Sequence, residues 1–339
     1  MLRTARFAAL LALVGSHALA DPLEDALAEL LAEARAESSA TSIVLLASDA
    51  NERLVLVDGD GTPDTRFYLA SVGKTMVAAA VLNAVQGGAL DLDAPLGDLV
   101  AGLPLAELAK TRSLRDLLTH TSGLPDYLDD AFFDDILARP THRWSPREAL
   151  GYADADDARP NGSPFDYSNT NYVLLGAVLV GLDGSLAASL GQRVFGPAKM
   201  SASSVGAKAA PDLARGFDTD GSDFSEILWN STLGDAPVIA NATDLERFVR
   251  ALMESDRIIG PQMRADMLRE GQSGSGYGMG IGADGDDWGD WFGHSGGFDG
   301  AATDYRYYAE DGTALIVLAN GDLDTDWVMD EAAAIWFGD

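Results

Sequence analysis

Ser71-Val72-Gly73-Lys74 is an S-x-x-K opening a strongly apolar run, Val77 to Leu82. A serine hydroxyl attacks a carbonyl only when a base sits beside it. Three residues along a helix bring Lys74 onto the face of Ser71, one turn on. A lysine can be that base when desolvation and neighbouring charges lower its pKa. The same residues also suit a capping serine beside a solvated lysine. Tyr167-Ser168-Asn169 ends a polar loop just before a second apolar run. A phenol can relay a proton, and an amide can hold a substrate carbonyl or the lysine; a turn with a capping Ser or Asn is the simpler reading of that tripeptide alone. His294-Ser295-Gly296 falls on an expected strand, where Gly296 and Gly297 let the backbone come close to a ligand.

Other motifs fail on their context. Gly73-Lys74-Thr75 resembles the end of a phosphate loop, but Tyr68 stands where that loop needs glycine. Gly278 to Ala283 fits a relaxed dinucleotide pattern yet opens no helix, and reads as a glycine-rich strand. Gly293-His294-Ser295-Gly296-Gly297 matches a nucleophile elbow, whose histidine must follow the serine. No histidine follows Ser295. The Asp-rich loops at 58–64, 218–223 and 284–290 lack the full calcium-loop spacing. Scattered histidines form no zinc cluster. No metal and no cofactor is expected.

Taken together, the three surviving motifs resemble the serine β-lactamase and penicillin-binding superfamily. The likeness is closer to its branch of class C β-lactamases, D-alanyl-D-alanine carboxypeptidases and esterases. LLTHTSGLPDY (117–127), YSNTNYVLLG (167–176), the glycine-rich stretch 293–300 and Ala319-Asn320 carry it, over about 40–335. The resemblance implies that Ser71 is the acylated nucleophile and that Lys74 and Tyr167 share the proton transfers. It implies that Asn169 orients substrate, with His294 and Gly296 on the substrate-binding strand. His294 takes the place of a lysine in the class C motif. The backbone N–H groups of Ser71 and Gly297 would form the oxyanion hole. His120 belongs to the LLTHTSG segment and reads as structural. The segment 236–245 departs from the branch's Gly-Gly and Ser-Thr-Ala-x-Asp-Leu pattern.

The elements that must position these residues can be sketched from periodicity. LEDALAELLAEARAE reads as a helix with Asp21 as cap and Pro22 in its first position. IVLLA (43–47) and RLVLV (53–57) flank a turn as a hairpin. Residues 71–86 read as a buried helix stopped by Gly87-Gly88. Residues 243–255 form an amphipathic helix capped by Thr243 or Asp244. YRYYA (305–309) and TALIVLA (313–319) make a second hairpin, and DTDWVMDEAAAIWF a closing helix. Strands do not alternate regularly with helices, which argues against a doubly wound parallel sheet. The expectation is an α+β fold, an α/β sandwich with an antiparallel sheet flanked by helices. A mostly helical subdomain about 90–230 is inserted into one domain, 21–339.

Residues 1–20 carry the parts of a secretory signal: Arg3 and Arg6, an apolar run Phe7 to Val14, and Ala18-Leu19-Ala20. That run is too short for a bilayer, which needs ~20 residues. Cleavage near Ala20 and a periplasmic or secreted location are expected, with no stable membrane insertion. The chain of 339 residues has 53 Asp+Glu against 23 Lys+Arg, a net charge of −30, and no Cys. Such acidity argues against nucleic acid and anionic membranes as partners. Absent cysteine excludes disulfides and thiol chemistry. The expected activity is acyl-enzyme hydrolysis of a D-amino-acid peptide or β-lactam amide. The alternatives are a carboxylesterase on small acyl esters and, from another class, an inactive protein that binds peptidoglycan fragments. No Lys or Arg lies between Glu270 and Tyr305. A carboxylate-binding cation must then come from elsewhere, such as Arg306 or the helical region.

Overall fold

The structure is a computed structural model and describes residues 22–269 and 275–338. The expected signal in 1–20 and the Asp21 cap lie outside the described residues. In chain order, α1 (Pro22–Ala36) leads into the hairpin β1 (Ser42–Ser48) and β2 (Arg53–Gly59). A short strand β3 (Phe67–Tyr68) precedes α2 (Gly73–Gln86), and a region of short helices leads to α3 (Asn169–Asp183). The strands β4 (Ser204–Val205) and β5 (Val238–Ala240) precede α4 (Ala242–Met253). Four strands follow: β6 (Gly282–Asp286), β7 (Gly289–Phe298), β8 (Ala301–Tyr308) and β9 (Thr313–Ala319). Helix α5 (Thr325–Phe337) closes the fold.

The main sheet has six strands in the order β2-β1-β9-β8-β7-β6, every neighbouring pair antiparallel. Both ends of the chain therefore meet at its centre, where Leu45 pairs with Val317. Side chains alternate across a strand with period two. Leu315 and Val317 of β9 pack with Leu27, Leu31, Val328 and Met329 from α1 and α5. Ile316 and Leu318 face the other way, into the core that holds α2, α3 and α4. Helix α2 is buried along nearly its whole length between sheet and α3. That explains a sequence apolar all round instead of on one face. A second, three-stranded sheet, β3-β5-β4, lies beside the start of α2.

Three local expectations change. Asn241, not Thr243 or Asp244, caps α4, its side chain accepting from the Asp244 N–H at 2.8 Å. The Asp244 carboxylate is instead used by the Ala202 N–H and the Ser203 hydroxyl. The glycine-rich stretch expected as a strand pairs in the sheet only from Gly282 onward. Gly280, in a left-handed conformation at φ +77°, turns the chain there against α2. Finally, Ser71 sits in a single 3-10 turn (Ala70–Val72) that runs directly into α2, not within the α-helix itself.

The end of β9 is tied to the start of β1 by one side chain. Asn320 accepts from the Thr41 and Ser42 N–H groups at 3.0 and 2.8 Å and donates to the Arg215 carbonyl at 2.6 Å. Replacing it leaves buried backbone donors without partners. Asn320→Ala is expected to lower stability by about 2–4 kcal/mol. Urea unfolding measures this, and a loss below about 0.5 kcal/mol would show that water replaces the amide.

Candidate active site

The turn carrying Ser71 is held from two sides. The Leu69 N–H donates to the Val238 carbonyl of β5 at 2.9 Å, and the Leu69 carbonyl accepts from the Thr303 hydroxyl of β8 at 2.9 Å. Ala70, just before Ser71, has φ +45°, a conformation that L-residues avoid. Strain of this kind persists only where surroundings over-determine it. Gly296 of β7 explains the close fit. A Cβ there would stand 2.8 Å from both the Leu69 oxygen and the Ser71 nitrogen. Glycine is thus required at this crossing for packing.

Lys74 is completely buried. Its ammonium donates to Ser71 Oγ at 2.9 Å, to Asn169 Oδ1 at 2.8 Å and to the Asp235 backbone carbonyl at 2.8 Å. An ammonium has three N–H groups, so all are used. It also lies 5.1 Å from the centre of the Tyr167 ring. The contact between Ser71 and Lys74 is the one a serine needs before it can lose its proton to a neighbouring base.

Asn169, at the first position of α3, does more than face the cleft. Its Nδ2 donates to Asp126 Oδ2 at 2.9 Å, and its backbone N–H to Asp126 Oδ1 at 3.1 Å. The amide is therefore a positioning group for Lys74, with one N–H left to meet a substrate carbonyl. Asp235 is brought to Lys74 by a close backbone approach. A Cβ on Gly234 would lie 2.1 Å from the Tyr172 carbonyl of α3. The Asp235 carboxylate accepts from the Tyr127 hydroxyl at 2.8 Å. Burial raises its pKa, and the Lys74 charge opposes that rise.

Tyr167 is partly exposed at the cleft, its ring stacked on His120 with centres 4.3 Å apart. His120 is fully buried at φ +54°. Its Nδ1 faces the Ser168 N–H at 3.2 Å and the Asn171 amide nitrogen at 3.1 Å. With Nδ1 accepting, the ring proton belongs on Nε2. Burial, then the charge of Lys74, push its pKa well below the ordinary value. His120 is thus a neutral platform beneath the Tyr167 loop, which agrees with its structural reading.

On β7, His294 donates from Nδ1 to the Ser295 carbonyl at 2.5 Å, since a carbonyl can only accept, and its Nε2 lies 2.9 Å from the Tyr277 hydroxyl. Both nitrogens are occupied, so a direct substrate contact from His294 would break one of these bonds. Burial and Lys74 lower its pKa to about 4. Ser295 is exposed in the middle of a strand, not at a strand-to-helix turn, so the nucleophile elbow does not form.

Ser71, Asn169, Asp235 and Gly297 line one cavity of about 90 Å³. Phe132, Trp144, Leu228 and Phe298 supply its apolar wall. Arg306, the cation named from sequence, points to the opposite face of the sheet and pairs with Asp330 at 2.5 Å. Arg139 does line the cavity, from the helical region, but its guanidinium is held by Asp135 at 2.9 Å and lies over Trp144 at 4.3 Å. Asp126, Asp235 and Tyr277 were not singled out from sequence. Asp126 lies within the LPDY segment, a signal that could have been followed. Asp235 binds Lys74 through its backbone, which leaves no trace in residue type.

An antiparallel sheet flanked by helices, with a serine–lysine pair at the start of a buried helix, defines the class of β-lactamase-fold serine hydrolases. Residues 15–336 match the family model described as Beta-lactamase, and the chain belongs to that family. It is 28% identical over 309 residues to Penicillin-binding protein 4 of Amycolatopsis lactamdurans, covering 79% of this chain and 76% of that one. It is 26% identical over 307 residues to Penicillin-binding protein 4* of Bacillus subtilis, covering 80% of this chain but 65% of that longer protein. Among solved structures, a D-stereospecific amidohydrolase from Streptomyces sp. has the same fold. Its TM-score is 0.77 at 23% identity, over 91% of this chain and 97% of that one.

A histidine kept neutral by the fold makes stability depend on pH. The folded His294 pKa of about 4 lies below its ordinary 6.5. Between those values the unfolded chain binds a proton that the folded chain refuses. Stability should fall as pH drops from about 6.5 through about 4, by on the order of 3 kcal/mol from this residue. His120 acts in the same direction. Urea unfolding at pH 7, 5.5 and 4.5 should show a smaller acid loss in His294→Gln than in the native chain. An equal loss would mean that His294 is protonated in the folded state.

Proposed function

We propose that this protein is an exported serine hydrolase that forms an acyl-enzyme on Ser71 and cleaves amide or ester bonds of small D-amino-acyl substrates. Its export rests on the signal-like residues 1–20. The carrying observation is the Lys74 ammonium placed 2.9 Å from Ser71 Oγ and fixed by Asn169 and Asp235. In this reading Lys74, once neutral, accepts the Ser71 proton as Oγ bonds to the substrate carbonyl carbon. The Ser71 and Gly297 N–H groups hold the resulting oxyanion, an interaction typically worth ~3–4 kcal/mol of barrier. The carbon–nitrogen or carbon–oxygen bond then breaks, and the leaving group takes a proton through Lys74 or Tyr167. Water releases the acyl group by the reverse sequence. No cofactor takes part. The penicillin-binding relatives favour a substrate related to a β-lactam amide, and the D-stereospecific amidohydrolase of the same fold favours D configuration.

A second reading, a carboxylesterase, is favoured by a separate observation. His294 is neutral, Arg306 faces away, and Arg139 is already paired. Among the described residues lining the cavity, a carboxylate-bearing β-lactam then meets no unpaired Lys or Arg, whereas a neutral ester needs none. An inactive peptidoglycan-binding protein is the least economical reading, since binding alone needs no buried lysine on a serine hydroxyl.

Ser71→Ala is expected to abolish turnover and adduct formation, checked by intact mass after exposure to penicillin and to a p-nitrophenyl ester. An adduct elsewhere would overturn the assignment. Lys74→Arg should be as damaging as Lys74→Ala, because arginine keeps its proton at working pH. Recovery of most activity by Arg would make Lys74 a fixed charge instead of a proton carrier.

Substrate choice follows from the cations. The kcat/KM for p-nitrophenyl butyrate should exceed that for a chromogenic cephalosporin at low and at high salt. Faster cephalosporin hydrolysis at both would show that a carboxylate site exists and would overturn this reading of the cations.

A further inference from the structure

One buried acid near Ser71 is short of partners. Lys74 is fully buried, beside the buried Asp235 and the half-buried Asp126. His120 and His294 are neutral at pH 7, their pKa values being depressed by burial. The cations across the cavity are already matched: Arg139 with Asp135, and His142 with Glu148 at 3.1 Å. Among the described residues lining the cavity no Lys or Arg is left unpaired, and the one acid is Asp235.

Hydrogen bonding leaves that residue short of donors. A carboxylate has about four acceptor sites. That of Asp235 receives the Tyr127 hydroxyl at Oδ2 and interacts with its own backbone N–H, while its buried Oδ1 makes no further hydrogen bond. Lys74 cannot supply the missing donor. Its three N–H groups go to Ser71, Asn169 and the Asp235 backbone carbonyl. A buried polar oxygen left unpaired is destabilising, and more so when charged. Such a group is an invitation to a donor, and a charged donor gains most.

We propose that Asp235 makes this cavity an ammonium subsite, so that the acyl part of the substrate carries a protonated amine next to the carbonyl that Ser71 attacks. This deepens the acyl-enzyme reading and rests on it for the position of the carbonyl. Ser71 Oγ and the Asp235 backbone carbonyl bind the same lysine ammonium, and Ser71 and Asp235 line the same cavity. An α-ammonium lies two bonds from the carbonyl carbon, so one small substrate can offer both groups to that cavity. The apolar wall of Phe132, Leu228 and Phe298 leaves room for a small or medium aliphatic side chain. The same carboxylate disfavours acyl groups that carry an acid there.

The test separates binding from turnover. In Ser71→Ala protein at pH 6.5, calorimetry compares D-leucinamide with 4-methylpentanamide, which lacks only the amine. D-Leucinamide should bind at least tenfold more tightly. Adding Asp235→Asn, which keeps an acceptor for Tyr127, should bring the ratio within twofold, with the fold checked by near-ultraviolet circular dichroism. Equal affinities in the protein with native Asp235, or no measurable binding of either amide, would overturn the proposal. A preference that survives Asp235→Asn would remove Asp235 from the subsite. If the amine preference holds but no Ser71 adduct ever forms in the native chain, the acyl-enzyme reading fails while the subsite stands.

Discussion

A lysine ammonium withdrawn entirely from water costs several kcal/mol unless every N–H finds an acceptor. Lys74 meets that demand with three oxygens from three distant parts of the chain: Ser71, Asn169 and Asp235. Much of the arrangement around the cleft follows from this constraint. Helix α3 must start beside α2 to deliver Asn169. The loop before β5 must press its Gly234 against α3 to deliver a backbone carbonyl. The turn before α2 must hold Ser71 against β7, and it does so at the cost of a left-handed Ala70.

The sheet supplies the rigidity that these placements need. Its central strands come from the two ends of the described chain, with β1 and β9 buried along their lengths. Thr303 and Tyr305 of β8 reach from the sheet to the α2 region, bonding the Leu69 carbonyl and the Thr75 hydroxyl. Asp304 and Arg306 on the same strand face α5. Period-two alternation thus divides one strand between site support and a separate ion-pair cluster. That division is why a conspicuous arginine near the site motif has no part in it.

Around the lysine, the surroundings keep other cations away. His120 and His294 both lie within reach of its charge, and both are held neutral by burial. Tyr167 rests on one of them and Tyr277 bonds the other. An aromatic box of this kind lets a single ammonium dominate the local field, while Asp126 and Asp235 offset it from the other side.

The sequence by itself determined the period-two and helical runs that become β1, β9, α2 and α5. It also determined the S-x-x-K and Y-S-N motifs, because both depend on residue type at short spacing. It read His120 as structural, a reading in keeping with its burial beneath Tyr167, and rejected the elbow at Ser295 from chain order alone. Only the tertiary structure decided which groups satisfy Lys74, since one acceptor is a backbone carbonyl that any residue could offer. It alone turned Arg306 away and brought Arg139 to the cavity wall, because the facing of a strand residue depends on register and that of a helical-region residue on packing. It moved the α4 cap to Asn241, since Asp244 was already engaged by residues 202 and 203, more than forty positions away. Short-range chemistry was written in the chain, and the balance of buried charge emerged only when distant segments were packed against one another.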